Sequence, residues 1–116
     1  MSKKILVVDD EPDVRFILQN ILKSEGFETA QSETIKECLR TVDSFLPDVV
    51  ILDIDLPDGS GLDALPQIKT KHPKMIVIMN SALDTSDNRE KAQENGADAF
   101  IGKPLNKQKL LSYLVG

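Results

Sequence analysis

The sequence is poor in the residues that cross-link chains or cross membranes. It has one cysteine, Cys38, which cannot form an intrachain disulfide and is typical of a reducing compartment. The longest uninterrupted apolar run spans residues 75–79, whereas a transmembrane helix needs about 20 such residues. The apolar stretch after the basic start is interrupted at Asp9, so we expect no signal peptide. The sequence therefore predicts a cytoplasmic protein with no membrane partner.

Positive charge is also scarce. Fourteen Lys and Arg stand against nineteen Asp and Glu, which gives a net charge of −5. Such a chain lacks the basic surface that binds nucleic acids, so we expect no direct nucleic-acid partner. The excess of carboxylates instead favours a divalent cation or a basic partner surface. With 116 residues, 41% of them hydrophobic, the chain has the size and composition of one globular domain.

Short apolar runs alternate along the chain with longer amphipathic stretches. The runs at residues 5–8, 49–52 and 75–79 are continuous and rich in β-branched residues, as is typical of strands buried on both faces. Two weaker runs, at residues 28–31 and 99–101, predict less buried strands. This alternation indicates that each strand is followed by a helix.

The segments between the strands have apolar residues at helical spacing. In the first segment they recur at i, i+3, i+4, i+7 and i+8 from Val14 through Ile17 to Leu22, which predicts one apolar face. Similar but shorter patterns predict helices around residues 35–42, 62–68 and 110–114. The segment 84–95 has a single apolar residue, Ala92, and predicts a weakly anchored fourth helix that Asn95 and Gly96 terminate.

The order is thus a strand and a helix repeated five times. Parallel strands joined by right-handed helical connections form a three-layer α/β/α sandwich around a five-stranded sheet. All strands of such a sheet point the same way, so the residues that follow them gather at one edge. The residues at the ends of the strands are therefore the candidates for a functional site.

Polar side chains follow four of the five predicted strands. Asp9 and Asp10 come after the first strand, Asp53 after the third, Ser81 after the fourth and Lys103 after the fifth. Adjacent strands lie about 4.8 Å apart, so these side chains can meet in one pocket. The sequence therefore predicts a site at this edge of the sheet.

The charges of these residues indicate the chemistry of the site. Three neighbouring carboxylates repel one another, and one lysine offsets only part of their charge. Mg²⁺ prefers carboxylate oxygens and is commonly held by one or two carboxylates together with water and phosphate. A metal, a lysine and a hydroxyl that face an acidic nucleophile are typical of phosphoryl transfer.

The whole chain resembles the response-regulator receiver domains, the phospho-accepting part of two-component signalling systems. In architecture it is similar to the single-domain chemotaxis-type regulators, and the resemblance implies a flavodoxin-like sheet with strand order 2-1-3-4-5 and one receiver domain over residues 1–116. Each motif alone is a weak signal, but together and in this order they are specific. The motifs are residues 4–11, Asp53 with Pro57 and Gly61, Ser81 with Ala82, and residues 96–98 followed by Lys103 and Pro104.

The resemblance implies a role for each acidic residue of the site. Asp53 would accept a phosphoryl group from a phosphohistidine. Asp10 and Asp53 would bind Mg²⁺ directly, together with the backbone carbonyl of Asp55, while Asp9 would act through a water molecule. The expected cofactor is therefore Mg²⁺.

The resemblance also implies how the signal is read. Lys103 would contact the phosphoryl oxygens, and the hydroxyl of Ser81 would donate a hydrogen bond to them. Phe100 occupies the family's aromatic switch position, where the ring turns inward when the serine moves.

We expect a sensor histidine kinase or a phosphotransfer protein as donor of the phosphoryl group. A downstream protein would bind the fourth helix, the fifth strand and the fifth helix, and a phosphorylation-dependent homodimer is a further partner class. Such a switch turns over no independent substrate, so we do not expect an enzyme in the usual sense.

The same residues also suggest three other site types. The acid-x-acid pattern of Asp53 and Asp55 resembles the nucleophile loop of haloacid-dehalogenase-type phosphatases, but that family places the loop after its first strand and usually has Thr or Val in place of Pro57. A calcium-binding EF-hand needs Gly at the sixth loop position and an acid at the twelfth, where this chain has Asp58 and Ala64. A receiver-like interaction module without phosphorylation stays open, although the intact acidic residues argue against it.

Overall fold

The computed structural model describes residues 3–114 as five alternating strands and helices. No helix within these residues combines the length and apolar character that crossing a bilayer requires. The elements are β1 (Lys4–Val8), α1 (Pro12–Ser24), β2 (Glu28–Ser32), α2 (Ile35–Phe45), β3 (Val49–Leu52), α3 (Gly61–Lys71), β4 (Ile76–Ser81), α4 (Ser86–Glu94), β5 (Ala99–Gly102) and α5 (Lys107–Leu114).

The five strands form one parallel sheet in the order β2-β1-β3-β4-β5, which confirms the predicted fold. Val8 at the end of β1 pairs with Leu52 at the end of β3, and Leu52 pairs with Met79 in β4. Because the register aligns the ends of β1 and β3, Asp9 and Asp53 leave the sheet side by side. The backbone N–H of Asp53 continues the ladder by donating to the carbonyl of Val8 (3.0 Å).

The core consists of two apolar layers, one on each face of the sheet. Leu6, Val50 and Val77 face the layer covered by α2, α3 and α4, whereas Ile5 and Ile51 face the layer covered by α1 and α5. Alternate residues of each central strand thus enter opposite layers, which explains why the apolar runs are continuous. Full burial of one such side chain contributes about 1.5–3 kcal/mol.

The apolar face of α1 is narrower than the sequence predicts. Leu18 and Leu22 are buried against the sheet, but Ile17 is 55% exposed and its neighbour Phe16 is 67% exposed. Consecutive helical residues point about 100° apart, so Ile17 lies at the edge of the buried stripe and borders an open groove of about 480 Å³ near Leu105. The prediction that Ile17 belongs to the core face is therefore wrong.

At the edge of the sheet that carries the site, the structure differs from the sequence-based prediction in two further ways. β4 begins at Ile76 and runs through Ser81, so Ser81 is the last residue of the strand and does not follow it. The strand continues because its pairing with β5 extends to Gly102. The loop between β3 and α3 contains a short antiparallel hairpin, Asp55–Leu56 with Gly59–Ser60, that was not predicted.

The weak anchoring of α4 is confirmed, although the helix is shorter than predicted. Ala92 is its one buried residue. A second attachment comes from Asn95, whose Nδ2 donates to the carbonyl of Leu62 in α3 (3.2 Å). That carbonyl is available because the residue four positions later is Pro66, which has no N–H to donate. α4 is thus held by few contacts, as expected of an element that moves easily.

Candidate functional site

Three carboxylates meet where the ends of β1 and β3 lie side by side. Oxygens of Asp9, Asp10 and Asp53 all lie within 4.8 Å of one another. Asp9 is 2% exposed and Asp53 is 5% exposed, whereas Asp10 is open to solvent. The structure therefore brings together the three acids that the sequence placed at this edge.

Lys103 supplies the positive charge of this cluster. Its Nζ lies 2.8 Å from Asp9 Oδ2, 3.0 Å from Asp53 Oδ2 and 3.8 Å from Glu11 Oε1. Burial alone would lower the pKa of Lys103, but its hydrogen bonds to Asp9 and Asp53 outweigh burial and raise the pKa above its ordinary value. The ammonium group is therefore charged at neutral pH and bridges the two buried acids.

One ammonium group does not compensate the whole cluster. Burial raises the pKa of Asp9, even though hydrogen bonds from Lys103 Nζ and the Glu11 N–H oppose that shift. An excess of negative charge in a partly buried pocket favours a further cation. Hard carboxylate oxygens, one of them on the exposed Asp10, form a donor set that fits Mg²⁺ with several of its waters retained. Asp55, whose carbonyl the resemblance assigns to the same ion, lies two residues after Asp53.

The backbone around Asp53 fixes the position of its side chain. The N–H of Ile54 donates to Asp53 Oδ1 (2.7 Å), which leaves Oδ2 to Lys103. A Cβ atom at Gly61 would overlap the carbonyl oxygen of Asp53, so only glycine allows the start of α3 to approach so closely. The N–H of Gly61 closes the loop by donating to the carbonyl of Ile54 (2.6 Å).

Ser81 joins the site to the segment that precedes α4. Its side chain is buried, and its Oγ accepts a hydrogen bond from the N–H of Leu83 (3.1 Å). Its carbonyl accepts from the N–H of Lys103 (3.0 Å), which extends the pairing of β4 with β5 by one residue. Within residues 3–114 the Ser81 hydroxyl donates no hydrogen bond, because the Leu83 bond uses its oxygen as acceptor.

Phe100 is already buried in this structure. It is 8% exposed and belongs to the core layer beneath α4. The guanidinium of Arg89 lies over its ring at 4.8 Å and forms two hydrogen bonds with Asp84, of 2.5 and 3.0 Å. The Arg89–Asp84 pair thus covers the ring. That the ring turns inward when Ser81 moves stays a prediction.

Arg15 is a site residue that the sequence analysis did not identify. The side chain is buried, and one terminal nitrogen donates to the backbone carbonyl of Asp9 (2.7 Å). Its other donors reach Gln31 and Glu33, each at 3.0 Å. An arginine in the first turns of an amphipathic helix gives no signal of this role, because its partners lie elsewhere in the sequence.

Proteins of known family are similar to this chain in sequence and in fold. The sequence profile of the response regulator receiver domain matches residues 5–115. The chain belongs to this family. It is 39% identical over 112 residues to the chemotaxis protein CheY of Listeria monocytogenes, an alignment that covers 96% of this chain and 94% of that protein. It is 36% identical to the regulatory protein VanR of Enterococcus faecium over 97% of this chain but 48% of VanR.

A solved receiver domain confirms the fold. The CheY-like response regulator receiver domain protein of Methanospirillum hungatei JF-1 superposes with a TM-score of 0.94 and 32% identity, covering 98% of this chain and 91% of that one. A receiver domain of DrrB, activated by beryllofluoride, superposes with a TM-score of 0.90 and 32% identity over 98% of this chain and 95% of that one. This chain is thus a receiver domain of the two-component response regulators, a phospho-accepting signalling switch.

Proposed function

We propose that Asp53 is the residue of this receiver domain that accepts the phosphoryl group, with Mg²⁺ as the cofactor. The donor is the phosphohistidine of a sensor histidine kinase or phosphotransfer protein, and the transfer takes place in the cytoplasm. The observation that carries this proposal is the position of Asp53. Its carboxylate is buried where Asp9, Asp10 and Lys103 converge. The resemblance to the receiver family assigns the acceptor role to Asp53 and the metal-binding roles to Asp9 and Asp10.

The transfer exchanges one bond to phosphorus for another. A carboxylate oxygen of Asp53 attacks phosphorus, the bond between phosphorus and the donor imidazole breaks, and the released imidazole nitrogen takes up a proton. Lys103 is positioned by its two carboxylate contacts to meet a phosphoryl oxygen at Asp53. Asp10, Asp53 and the Asp55 carbonyl would hold Mg²⁺, with Asp9 acting through a water molecule, and the ion would supply further positive charge to those oxygens.

The signal then passes through Ser81. Its free hydroxyl proton is donated to the phosphoryl oxygen while Oγ keeps the hydrogen bond from Leu83. A shift of Ser81 therefore displaces Leu83 and its neighbour Asp84, which holds Arg89 over Phe100. Since the ring is already buried, phosphorylation increases the population of an existing state at α4, β5 and α5. That face is the surface for a downstream protein or for a second copy of the chain.

The proposal is tested by the intact mass of the protein after incubation with acetyl phosphate. With Mg²⁺ we expect one phosphoryl group per chain, and with a chelator we expect none. The protein should also fail to turn over added phosphate esters, because the switch has no substrate other than itself. An absent adduct would favour an interaction module without phosphorylation, and repeated turnover would favour a phosphatase of the haloacid-dehalogenase type.

The two acids at the end of β1 should contribute unequally to Mg²⁺ binding. Asp9 is engaged by Lys103 and by the N–H of Glu11, whereas Asp10 is exposed and makes no hydrogen bond within residues 3–114. We expect Asp9→Asn to weaken Mg²⁺ binding about tenfold, as outer ligands do, and Asp10→Asn to weaken it further. Calorimetric Mg²⁺ titration of both variants measures the difference. Equal losses would contradict this division of roles.

The exposed side chains two residues beyond Asp53 and two beyond Ser81 should set the lifetime of the phosphate. Leu83 places apolar bulk beside the site, so Leu83→Ala should admit water and shorten the lifetime several-fold. Asp55 offers a carboxylate that can orient the attacking water, so Asp55→Leu should lengthen it. Both variants should still be phosphorylated to completion. The decay of the adduct after removal of acetyl phosphate provides the measurement, and unchanged decay in both variants would remove this assignment.

A further inference from the structure

Asp58 lies in the loop that follows the acceptor, yet its carboxylate binds a different element. Its Oδ1 accepts a hydrogen bond from the N–H of Ile35 (2.8 Å), and its Oδ2 accepts one from the N–H of Lys36 (3.0 Å). These residues are the first two of α2. The two N–H groups lower the pKa of Asp58, so the carboxylate is charged at neutral pH and favoured by the helix dipole.

α2 already has a cap from its own sequence. Thr34 precedes the helix, and its Oγ1 accepts a hydrogen bond from the N–H of Glu37 (3.1 Å). One capping residue of this kind is the usual arrangement at a helix N-terminus. Asp58 adds a second set of bonds from outside the helix. The bonds of Asp58 therefore join two elements, in addition to satisfying the free N–H groups of α2.

The bonds of Asp58 attach the tip of the loop between β3 and α3 to the start of α2. The base of the loop is fixed where Gly61 packs on the carbonyl of Asp53, and Leu56 is buried in the core. Within residues 3–114, the bonds of Asp58 are the only hydrogen bonds that connect residues 55–60 to an element not adjacent in sequence. Gly59, at φ +146°, brings the tip so close to α2 that a Cβ atom there would lie 3.1 Å from Ile35 Cδ1.

We propose that Asp58 is a positioning residue of the phosphorylation site. By anchoring the loop tip on α2, it fixes Asp55, whose backbone carbonyl is the proposed Mg²⁺ ligand, relative to Asp53. Mg²⁺ affinity and the rate of phosphorylation then depend on a side chain that contacts neither the metal nor the phosphoryl group. This inference rests on the function proposed above.

The two caps of α2 provide a matched comparison. Asp58→Ala and Thr34→Ala each remove capping bonds from the same helix end and should lower the midpoint of urea unfolding to a similar extent. Only Asp58→Ala releases the loop. We therefore expect Asp58→Ala to weaken Mg²⁺ binding about tenfold and to slow phosphorylation by acetyl phosphate, while Thr34→Ala binds Mg²⁺ like the wild type. Asp58→Asn should restore most of the affinity, because the amide oxygen still caps the helix.

Unchanged Mg²⁺ affinity in Asp58→Ala, or equal losses in both alanine variants, would overturn the inference. Failure of the wild type to bind Mg²⁺ or to accept phosphate would instead refute the proposed function. In that case hydrogen exchange of the metal-free protein decides whether the anchor exists. Faster exchange at residues 54–61 in Asp58→Ala, but not in Thr34→Ala, supports the anchor, and equal exchange in both variants overturns it.

Discussion

Asp53→Asn should lose the phosphoryl adduct completely while keeping the fold. An amide is not a nucleophile toward phosphorus, but it has the size of the carboxylate and its oxygen can still accept the N–H of Ile54. The substitution relieves repulsion among the three acids but also gives up the ion pair with Lys103, so we expect the free energy of unfolding at neutral pH to change little. Intact mass after incubation with acetyl phosphate and Mg²⁺ measures the adduct, and urea unfolding measures stability.

Asp55→Asn is the matched control for this variant, because it changes an exposed carboxylate of the same loop to an amide. It should keep the full adduct. An adduct that persists in Asp53→Asn and maps to another residue would contradict the assignment of the acceptor.

Lys103→Met should have the second-largest effect, on the rate of phosphorylation and on stability together. It removes the ammonium group that bridges Asp9 and Asp53, and loss of one such group at developing charge typically slows a reaction about 10²–10³-fold. Breaking a buried ion pair by removing one partner costs about 3–5 kcal/mol. Added Mg²⁺ should recover part of that stability, since it replaces the missing positive charge. Rates with acetyl phosphate and urea unfolding with and without Mg²⁺ test both parts.

Lys69→Met provides the comparison for Lys103→Met. Lys69 also pairs with an aspartate, Asp98, at 3.0 Å, but in a more exposed position away from the strand ends that carry the site. The variant Lys69→Met should therefore lower the free energy of unfolding slightly and leave the rate of phosphorylation unchanged. Wild-type rates in Lys103→Met, or the same loss of rate in both variants, would contradict the role of Lys103.

Much of this architecture could be predicted because its causes are local in the sequence. Strands that are covered on both faces need unbroken apolar runs, and those runs locate β1, β3 and β4. Parallel strands deliver the residues that follow them to a common edge. The approach of Asp9 and Asp53 follows from those two facts, and the weaker run at residues 99–101 adds Lys103 at the same edge.

The remaining features depend on partners that are distant in sequence. Arg15 is buried because it reaches Gln31, Glu33 and the backbone of Asp9, and no periodicity in α1 indicates that. Asp58 enters the sequence analysis only as the residue at the sixth position of a possible EF-hand loop, and nothing in the sequence indicates its bonds to α2. Ile17 fits the helical repeat, yet it is exposed because the sheet covers only part of the face that the repeat defines.

The central claim is that phosphorylation of Asp53 is read at α4, and hydrogen exchange tests it most directly. Exchange should be followed with and without the phosphoryl mimic beryllofluoride, in the presence of Mg²⁺, with Asp53→Asn as the control that cannot hold the mimic. We predict that exchange changes first in residues 83–95, which Ser81 reaches through Leu83 and which Ala92 alone anchors in the core. A response in α1 while residues 83–95 stay unchanged would contradict the account.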